Sequence, residues 1–238
     1  MTAPMILALG EAALTIQFGD RISDTENQRV HALDAALAAQ PLVGQLETVP
    51  SYCALLVVFD PELVNLTDAH SRLLELARAI SHGRRPTRRW RVPVVYGGDA
   101  GFDLDIIAAY CGLKPSEYTV RHASRPYRIH MIGFQPGFSY LGGLDPGLAM
   151  PRRAEPRLRI PPGAVTVGGE QSAIGTVETP SGWHVIGRTP VRPFQADRTP
   201  PFLFEPGDEI VFIPVAASDW LELDAKAAGG ALLAELIG

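Results

Sequence analysis

Along the first part of the chain the spacing of apolar positions alternates between two periods. In "ALTIQFG", Leu14, Ile16 and Phe18 fall at every second residue, which predicts a strand with one buried face. Ser23 and Glu26 then stand at capping-box spacing, and Val30, Leu33 and Leu37 follow on one helical stripe that Pro41 ends. "SYCALLVVFD" is nearly continuous in apolar residues from Tyr52 to Phe59 and is the strongest strand signal in the chain, closed by Asp60-Pro61. A second helix is expected from about Asp68 to Ile80, burying Leu73, Leu76, Ala77 and Ile80. Strand, helix, strand, helix predicts a small α+β layer with helices covering one face of a sheet.

The pattern breaks at "HGRRPTRRWRVPVVY", where Arg84, Arg85, Arg88, Arg89 and Arg91 crowd together beside Gly83 and Pro86. The cluster reads as a solvated linker between domains, with an anion or acidic-partner patch as the alternative. It divides the chain into an N-terminal α+β domain over residues 1–85 and a second domain, with a C-terminal tail, over 86–238. Two short helices are expected there, Asp103 to Cys111 stopped by Gly112, and another near Ser116 to Arg121. After "YRIHMIGF" come short apolar runs separated by Gly/Pro turns: "AVTV", "AIGTVET", "WHVIG", "PFLF" and "PGDEIVFIPV". Many short strands joined this way predict a closed or nearly closed barrel. In the tail from Trp220, Leu232, Leu233, Leu236 and Ile237 have helical spacing, which predicts a short terminal helix or a segment that pairs with a partner.

Composition narrows the classes of function. The 238 residues are 46% hydrophobic, ample for a core, and 21 basic against 26 acidic side chains give a net charge of -5, which does not favour a nucleic-acid partner. No apolar run approaches the ~18 residues that span a bilayer. The stretch "MTAPMILALGEAALTIQFG" has no positive n-region and is interrupted by Glu11, so neither a signal peptide nor a membrane is expected, and a cytoplasmic setting is. Cys53 and Cys111 are the two cysteines; both are expected as reduced core residues, and with scattered histidines they make no metal signature.

Candidate chemistry concentrates where glycine and proline are dense. "FQPGFSYLGGLDPG" would hold peptide N–H groups in fixed positions, as an anion- or carbonyl-binding nest does, with Pro136, Phe138 and Tyr140 as pocket walls; a structural Ω-type loop is the alternative. His122 ends the second short helix, where its ring could exchange a proton near neutral pH or be satisfied by a neighbour. His130 alternates within a strand with Arg128 and Ile132 and reads as a structural or surface residue, whereas His184 beside Trp183 suggests a pocket wall. "PRRAEPRLRIPPG" offers Arg152, Arg153, Arg157 and Arg159, any of which could fork onto a carboxylate or phosphate. Gln171 could donate and accept at an amide, with Glu170 beside it as a base or an exposed charge. In "IGRTP", Arg188 and Thr189 precede a rigidifying proline; a buried arginine there needs a partner, either a ligand or Glu178, Asp197 or Asp208. No Walker-type loop, dinucleotide fingerprint or nucleophile elbow is present, and lysine occurs only at Lys114 and Lys226. Orienting groups and walls are there without a convincing nucleophile–base pair.

The stretches "PSYCALLVVFDP", "GFQPGFSYLGGLDP", "MPRRAEPRLRIPPGAVTVGGEQSAIG", "GWHVIGRTPVRPF" and "PFLFEPGDEIVFIP" resemble the family named for allophanate hydrolase subunit 1. That family includes the B-type component of the bacterial ATP-dependent 5-oxoprolinase and the sporulation kinase inhibitor KipI. The resemblance implies an α+β fold: a small N-terminal α+β sandwich domain followed by a cyclophilin-like β-barrel. It implies a protein inactive alone that joins a C-type component, of the allophanate hydrolase subunit 2 type, and an A-type component of 5-oxoprolinase. Together these open 5-oxoproline to glutamate with ATP as co-substrate of the complex; no biotin belongs to this chain. A KipI-like inhibitor that binds a sensor histidine kinase, or a component of another amide-directed hydrolase or carboxyltransferase, is the alternative. Carried over by motif, the family's "GFxPGFxYLGGL" falls on Gly133 to Leu144, its upstream histidine on His122 and its "GGWxxIGRTP" on Ser181 to Pro190. The resemblance thus implies His122, Gln171 and Arg188 as catalytic and Pro136, Phe138, Tyr140, Trp183, His184 and Thr189 as the substrate pocket. This chain departs where the family reads "QTGIYP", having Gln171-Ser172-Ala173-Ile174-Gly175-Thr176, and has Ser181 before Gly182-Trp183 in place of glycine.

Overall fold

The computed structural model describes residues 3–80 and 87–238, so Arg84 and Arg85 of the arginine run lie outside the described residues. The chain divides into two compact units, Met1–Pro86 and Thr87–Gly238.

In the first unit, strands β1 (Met5–Ala8), β2 (Ala13–Gln17), β3 (Gln45–Pro50) and β4 (Ala54–Phe59) form an antiparallel sheet in the order β1-β2-β4-β3. Leu14, Ile16 and Phe18 are buried on one side, as their alternation predicts, together with Leu55, Val57 and Phe59. Helices α1 (Asp24–Ala39) and α2 (Leu66–Ala79) close that side with Val30, Leu33 and Leu37 and with Leu73 and Ala77, completing one core. The expected capping box does not form, because the Ser23 side chain makes no bond to the helix. Of these two helices, α2 has the side-chain cap: Asn65 accepts from the Thr67 and Asp68 amides at 3.0 and 3.2 Å. The outer strands β1 and β3 carry no clean alternation, and the periodicity does not foretell them. Cys53 is half-buried rather than a core residue, as is Cys111 in the second unit; both are free thiols whose pKa burial raises.

The second unit is a barrel. Its strands are β5 (Arg89–Tyr96), β6 (Tyr127–Ile132), β7 (Ser139–Gly142), β9 (Ala164–Gly168), β10 (Gln171–Ile174), β12 (His184–Arg188) and β13 (Glu209–Pro214). They run in the order β12-β9-β10-β7-β6-β13-β5, and β5 pairs with β12, so the ring of seven strands is closed. A separate pair, β8 (Arg157–Ile160) and β11 (Thr179–Ser181), lies outside the ring. Helices α3 (Leu104–Tyr110) and α4 (Pro115–Ala123) contribute Leu104, Ile107, Ala108 and Tyr118 to the barrel core, where Val92, Val94, Tyr127, Ile129, Val165, Ile186 and Phe212 are buried. The closing seam pairs Gly187 with Tyr96 and Arg188 with Val95. A Cβ at Gly187 would stand 2.7 Å from the Val95 carbonyl oxygen, so the seam needs glycine there.

Three expectations are corrected. The described arginines of the run are not a solvated linker: they lead into or belong to β5 and are ion-paired, Arg88 to Asp208 at 2.7 Å, Arg89 to Glu209 at 2.6 Å and Arg91 to Glu235 at 3.2 Å. Asp208, buried, also accepts from the Trp90 indole at 3.1 Å. "PFLF" is not a strand but makes one bridge, Phe194 to Phe202. The tail is helical only over α5 (Trp220–Ala228), where Gly229 caps it; Leu236 instead pairs with Trp90 as part of β14 (Glu235–Leu236) on the free edge of β5.

Candidate functional site

Four of the nine sequence-predicted residues line clefts of the second unit, and the clefts are two: Phe138, Tyr140 and Trp183 stand in one and Arg188 in the other. The first cleft, of about 190 Å³, is aromatic. The loop after β6 turns at Phe134, a non-glycine residue at φ 68° whose ring is exposed, and returns as β7. Such a backbone costs about 1–2 kcal/mol outside glycine and is retained where the surroundings impose it. It sets Phe134 edge-on to Phe138 at 5.8 Å; Phe138 leans on Tyr140 at 4.7 Å, and Tyr140 meets Trp183 edge-on at 6.1 Å. Arg152 lies over the Trp183 ring at 5.4 Å and completes the rim with residues Thr179 to Gly182. Burial raises the Tyr140 phenol pKa, with Arg152 pulling the other way. Gln171 begins β10, half-buried, on the strand face of Ala173, which packs with Phe138 and Trp183.

The second cleft, of about 310 Å³, opens at the seam where the barrel closes. It is lined by Val95 and Tyr96 from the end of β5, the Gly97–Ala100 loop, Arg188 from the end of β12, and Ala217 and Trp220. The loop lies against β12: Gly97 N–H donates to the Ile186 carbonyl at 3.1 Å, and a Cβ on Gly101 would stand 2.1 Å from the same oxygen. Arg188 is half-buried, its Nε donating to the Pro162 carbonyl at 3.2 Å and its guanidinium stacked over Trp220 at 4.4 Å. Burial lowers its pKa, with Asp224 opposing and Arg192 adding to the effect. Trp183 and Arg188 bracket β12, about 16 Å apart at strand rise, which is why the aromatic walls and the arginine do not meet.

His122 joins neither cleft. It is fully buried in the barrel core, its ring 5.1 Å from Phe212, 4.9 Å from Tyr127 and stacked on Tyr118. Ser172 donates to the Thr166 carbonyl at 3.0 Å, leaving its oxygen to accept from His122 Nε2 at 3.4 Å. Nδ1 is then the acceptor, and the Tyr96 hydroxyl donates to it at 2.8 Å. This chain of bonds runs from Tyr96 through His122 and Ser172 to the Thr166 carbonyl and fixes the Tyr96 ring at the edge of the second cleft. Burial lowers the imidazole pKa to about 3, and the ring is neutral at neutral pH.

Of the other expected pocket residues, Pro136 is exposed and buttresses the loop, its carbonyl accepting from the Thr176 hydroxyl at 2.8 Å. His184 is buried and donates from Nε2 to the Pro151 carbonyl at 3.0 Å. Thr189 is buried and accepts from the Val191 amide at 3.1 Å. None of these three lines either cleft. Among the four arginines after Pro151, Arg157 is bidentate to fully buried Asp103 at 2.6 and 2.7 Å, Arg153 stands 3.7 Å from the same carboxylate, and Arg159 faces Glu178 at 3.5 Å. Arg152 alone of the four reaches a cleft. Tyr96, Asp99 and Trp220 were missed; a strand ending in "YGGDAG" was the signal for the first two. Among the described residues no group of His, Cys, Asp and Glu is placed to hold a metal ion, and no helix is long and apolar enough to cross a membrane.

A model of the carboxyltransferase domain, subdomains C and D, matches residues 4–204. The chain belongs to this family. Its carboxyltransferase-domain relatives include the 5-oxoprolinase B subunit of Bacillus subtilis, 34% identical over 89% of this chain and 93% of that protein. The 5-oxoprolinase B subunit of Escherichia coli O157:H7 is 38% identical over 87% of this chain and 94% of its own length. The solved structure of TTHA0988 matches with a TM-score of 0.75 and 32% identity over 90% of this chain, which spans 40% of that longer chain. The C and D subdomain match includes both clefts apart from Ala217 and Trp220.

Proposed function

We propose that this chain is the B-type subunit of an ATP-dependent 5-oxoprolinase. The assembly hydrolyses 5-oxo-L-proline to L-glutamate: the lactam C–N bond breaks, water supplies a hydroxyl to the carbonyl carbon and a proton to the nitrogen, and ATP is hydrolysed by a second water to ADP and phosphate. The observation that carries this reading is the near end-to-end match, over 93% and 94% of their lengths, to two proteins named as the B subunit of 5-oxoprolinase. The geometry agrees with a share of a site and not a whole one. Both clefts offer orienting groups and walls, while the one histidine expected to move protons is locked in the core.

A C-type partner then completes the site, an A-type partner joins the assembly, and this chain is inactive alone. The nucleotide does not fit here by the usual route. Lys226 is held by Glu222 at 2.5 Å, and Lys114 precedes α4, its amide donating to Glu117 at 2.8 Å; neither stands in a glycine-rich phosphate loop. ATP is the co-substrate of the complex, bound without a phosphate-loop lysine from this chain or with one that a partner supplies.

The test is reconstitution. The chain is co-expressed with its C-type partner, the A-type partner is added, and ADP and glutamate formed from ATP and 5-oxo-L-proline are measured. Equal release of both, lost when this chain is left out, is the expected result. A stable, verified complex that releases neither refutes the proposal.

A further inference from the structure

The Arg188 guanidinium is held from two sides and left unpaired at its end. Nε is occupied by the Pro162 carbonyl, one face lies on Trp220, and neither terminal nitrogen donates to a protein group among the described residues. The carboxylates that the sequence offers as partners are engaged elsewhere: Asp208 with Arg88 at 2.7 Å, Glu178 with Arg159 at 3.5 Å, and Asp197 beside Arg198. Asp224, near the cleft, is held by Arg192 at 2.5 Å. A half-buried cation without a carboxylate is costly, and burial is what lowers its pKa. What remains free is the end-on fork, which matches the two oxygens of a carboxylate.

Anion binding alone does not describe the cleft, because Asp99 shares its lining, exposed and without an ion pair among the described residues. A second carboxylate there repels a bare anion but accepts a hydrogen bond from an N–H. The same lining includes Val95, Ala100, Ala217 and the rings of Tyr96 and Trp220, which suit a small apolar body.

We infer that the cleft between Arg188, Asp99 and Trp220 binds a small carboxylic acid that also carries an amide N–H, with the carboxylate on Arg188 and the N–H on Asp99. The inference rests on the 5-oxoprolinase reading only for the name of its ligand: 5-oxo-L-proline carries its carboxylate on the carbon next to the lactam nitrogen. Held by these two groups, the ligand has its lactam carbonyl on the far side of the nitrogen from Arg188.

Calorimetric titration of the full chain at neutral pH tests this with four probes. These are 5-oxo-L-proline, N-acetylglycine (acyclic, with both groups), cyclopentanecarboxylate (no N–H) and 2-pyrrolidinone (no carboxylate). The two amide acids are expected to bind saturably in the millimolar range, cyclopentanecarboxylate about tenfold more weakly, and pyrrolidinone not at all. Arg188→Gln should weaken every acid about tenfold or more, and Asp99→Ala, at an exposed position, which leaves no acceptor there, should abolish the preference for an N–H. The inference is overturned if neither amide acid binds saturably, or if binding is unchanged in both variants. Binding of N-acetylglycine with exclusion of 5-oxo-L-proline would keep the cleft and overturn 5-oxo-L-proline as its ligand, whereas the 5-oxoprolinase reading itself falls only with the reconstituted complex. An active reconstituted complex indifferent to Arg188→Gln would keep that reading and sink the cleft.

Discussion

Burial of a neutral histidine makes the stability of the barrel unit depend on pH, and His122→Phe isolates the effect. In the folded chain the imidazole pKa is lowered to about 3 from an ordinary 6.5, because full burial penalises the charged ring. Below pH 6.5 the unfolded chain takes up a proton that the folded chain does not. Stability is therefore complete above pH 6.5 and is lost progressively as pH falls from there toward 3. Between pH 7 and pH 5 the loss from this one group is about 2 kcal/mol. Phenylalanine preserves the stacking on Tyr118 and Phe212 but removes the acceptor of the Tyr96 hydroxyl and the partner of Ser172. That lost bonding costs about 1–3 kcal/mol at any pH. The wild type should thus be the more stable protein at pH 7, and its advantage should shrink by about 2 kcal/mol at pH 5. All three tryptophans, Trp90, Trp183 and Trp220, lie in the barrel unit, so urea unfolding followed by tryptophan fluorescence reads that unit alone. An advantage that stays constant between the two pH values, or grows at pH 5, would refute the assignment of His122 as a buried neutral ring.

Two further outcomes follow from the architecture around the clefts. Arg157→Ala strips fully buried Asp103 of its bidentate partner, leaving the Val185 amide at 2.8 Å and Arg153 at 3.7 Å. Denaturation at pH 7 should show a loss of about 3 kcal/mol; a loss below about 1 kcal/mol would mean that Arg153 replaces it. Gly101→Ala forces a methyl against the Ile186 carbonyl and should cost about 3 kcal/mol while displacing the Asp99 loop. Gly98→Ala, at φ 53° with nothing within 4 Å of the added carbon, should cost only about 1 kcal/mol. Equal melting temperatures for the two variants would count against the close approach.

Reading the chain as a linear string went furthest where an element makes its own boundary with water. Leu14, Ile16 and Phe18, or Leu73 and Ala77, announce a buried face by spacing alone, and both are buried in the same core. The aromatic cleft was legible for a similar reason: Phe138 and Tyr140 are two residues apart at the start of β7, and Trp183 is carried to them by β12. Where the partner is distant in sequence, spacing is silent. Arg88, Arg89 and Arg91 look like a free basic run because Asp208, Glu209 and Glu235, which neutralise them, follow at the far end of the chain. The tail gives the same lesson, since Leu236 has helical spacing yet is claimed by the open edge of β5 at Trp90.

The amino-acid pattern by itself determined the two-part character of the chain, the helices of the first unit, and a second unit of short strands, because each depends on local periodicity and turn chemistry. Closure of the barrel decided the rest. It joins Tyr96 to Gly187 across the seam, drives His122 into the interior, sends Arg188 to the opposite end of β12 from Trp183, and sets Asp99 in the cleft with the arginine that no described carboxylate of the chain satisfies. A motif order can name Arg188 and His122 together; only packing around a closed ring of strands determines that one lines a cleft and the other faces the core.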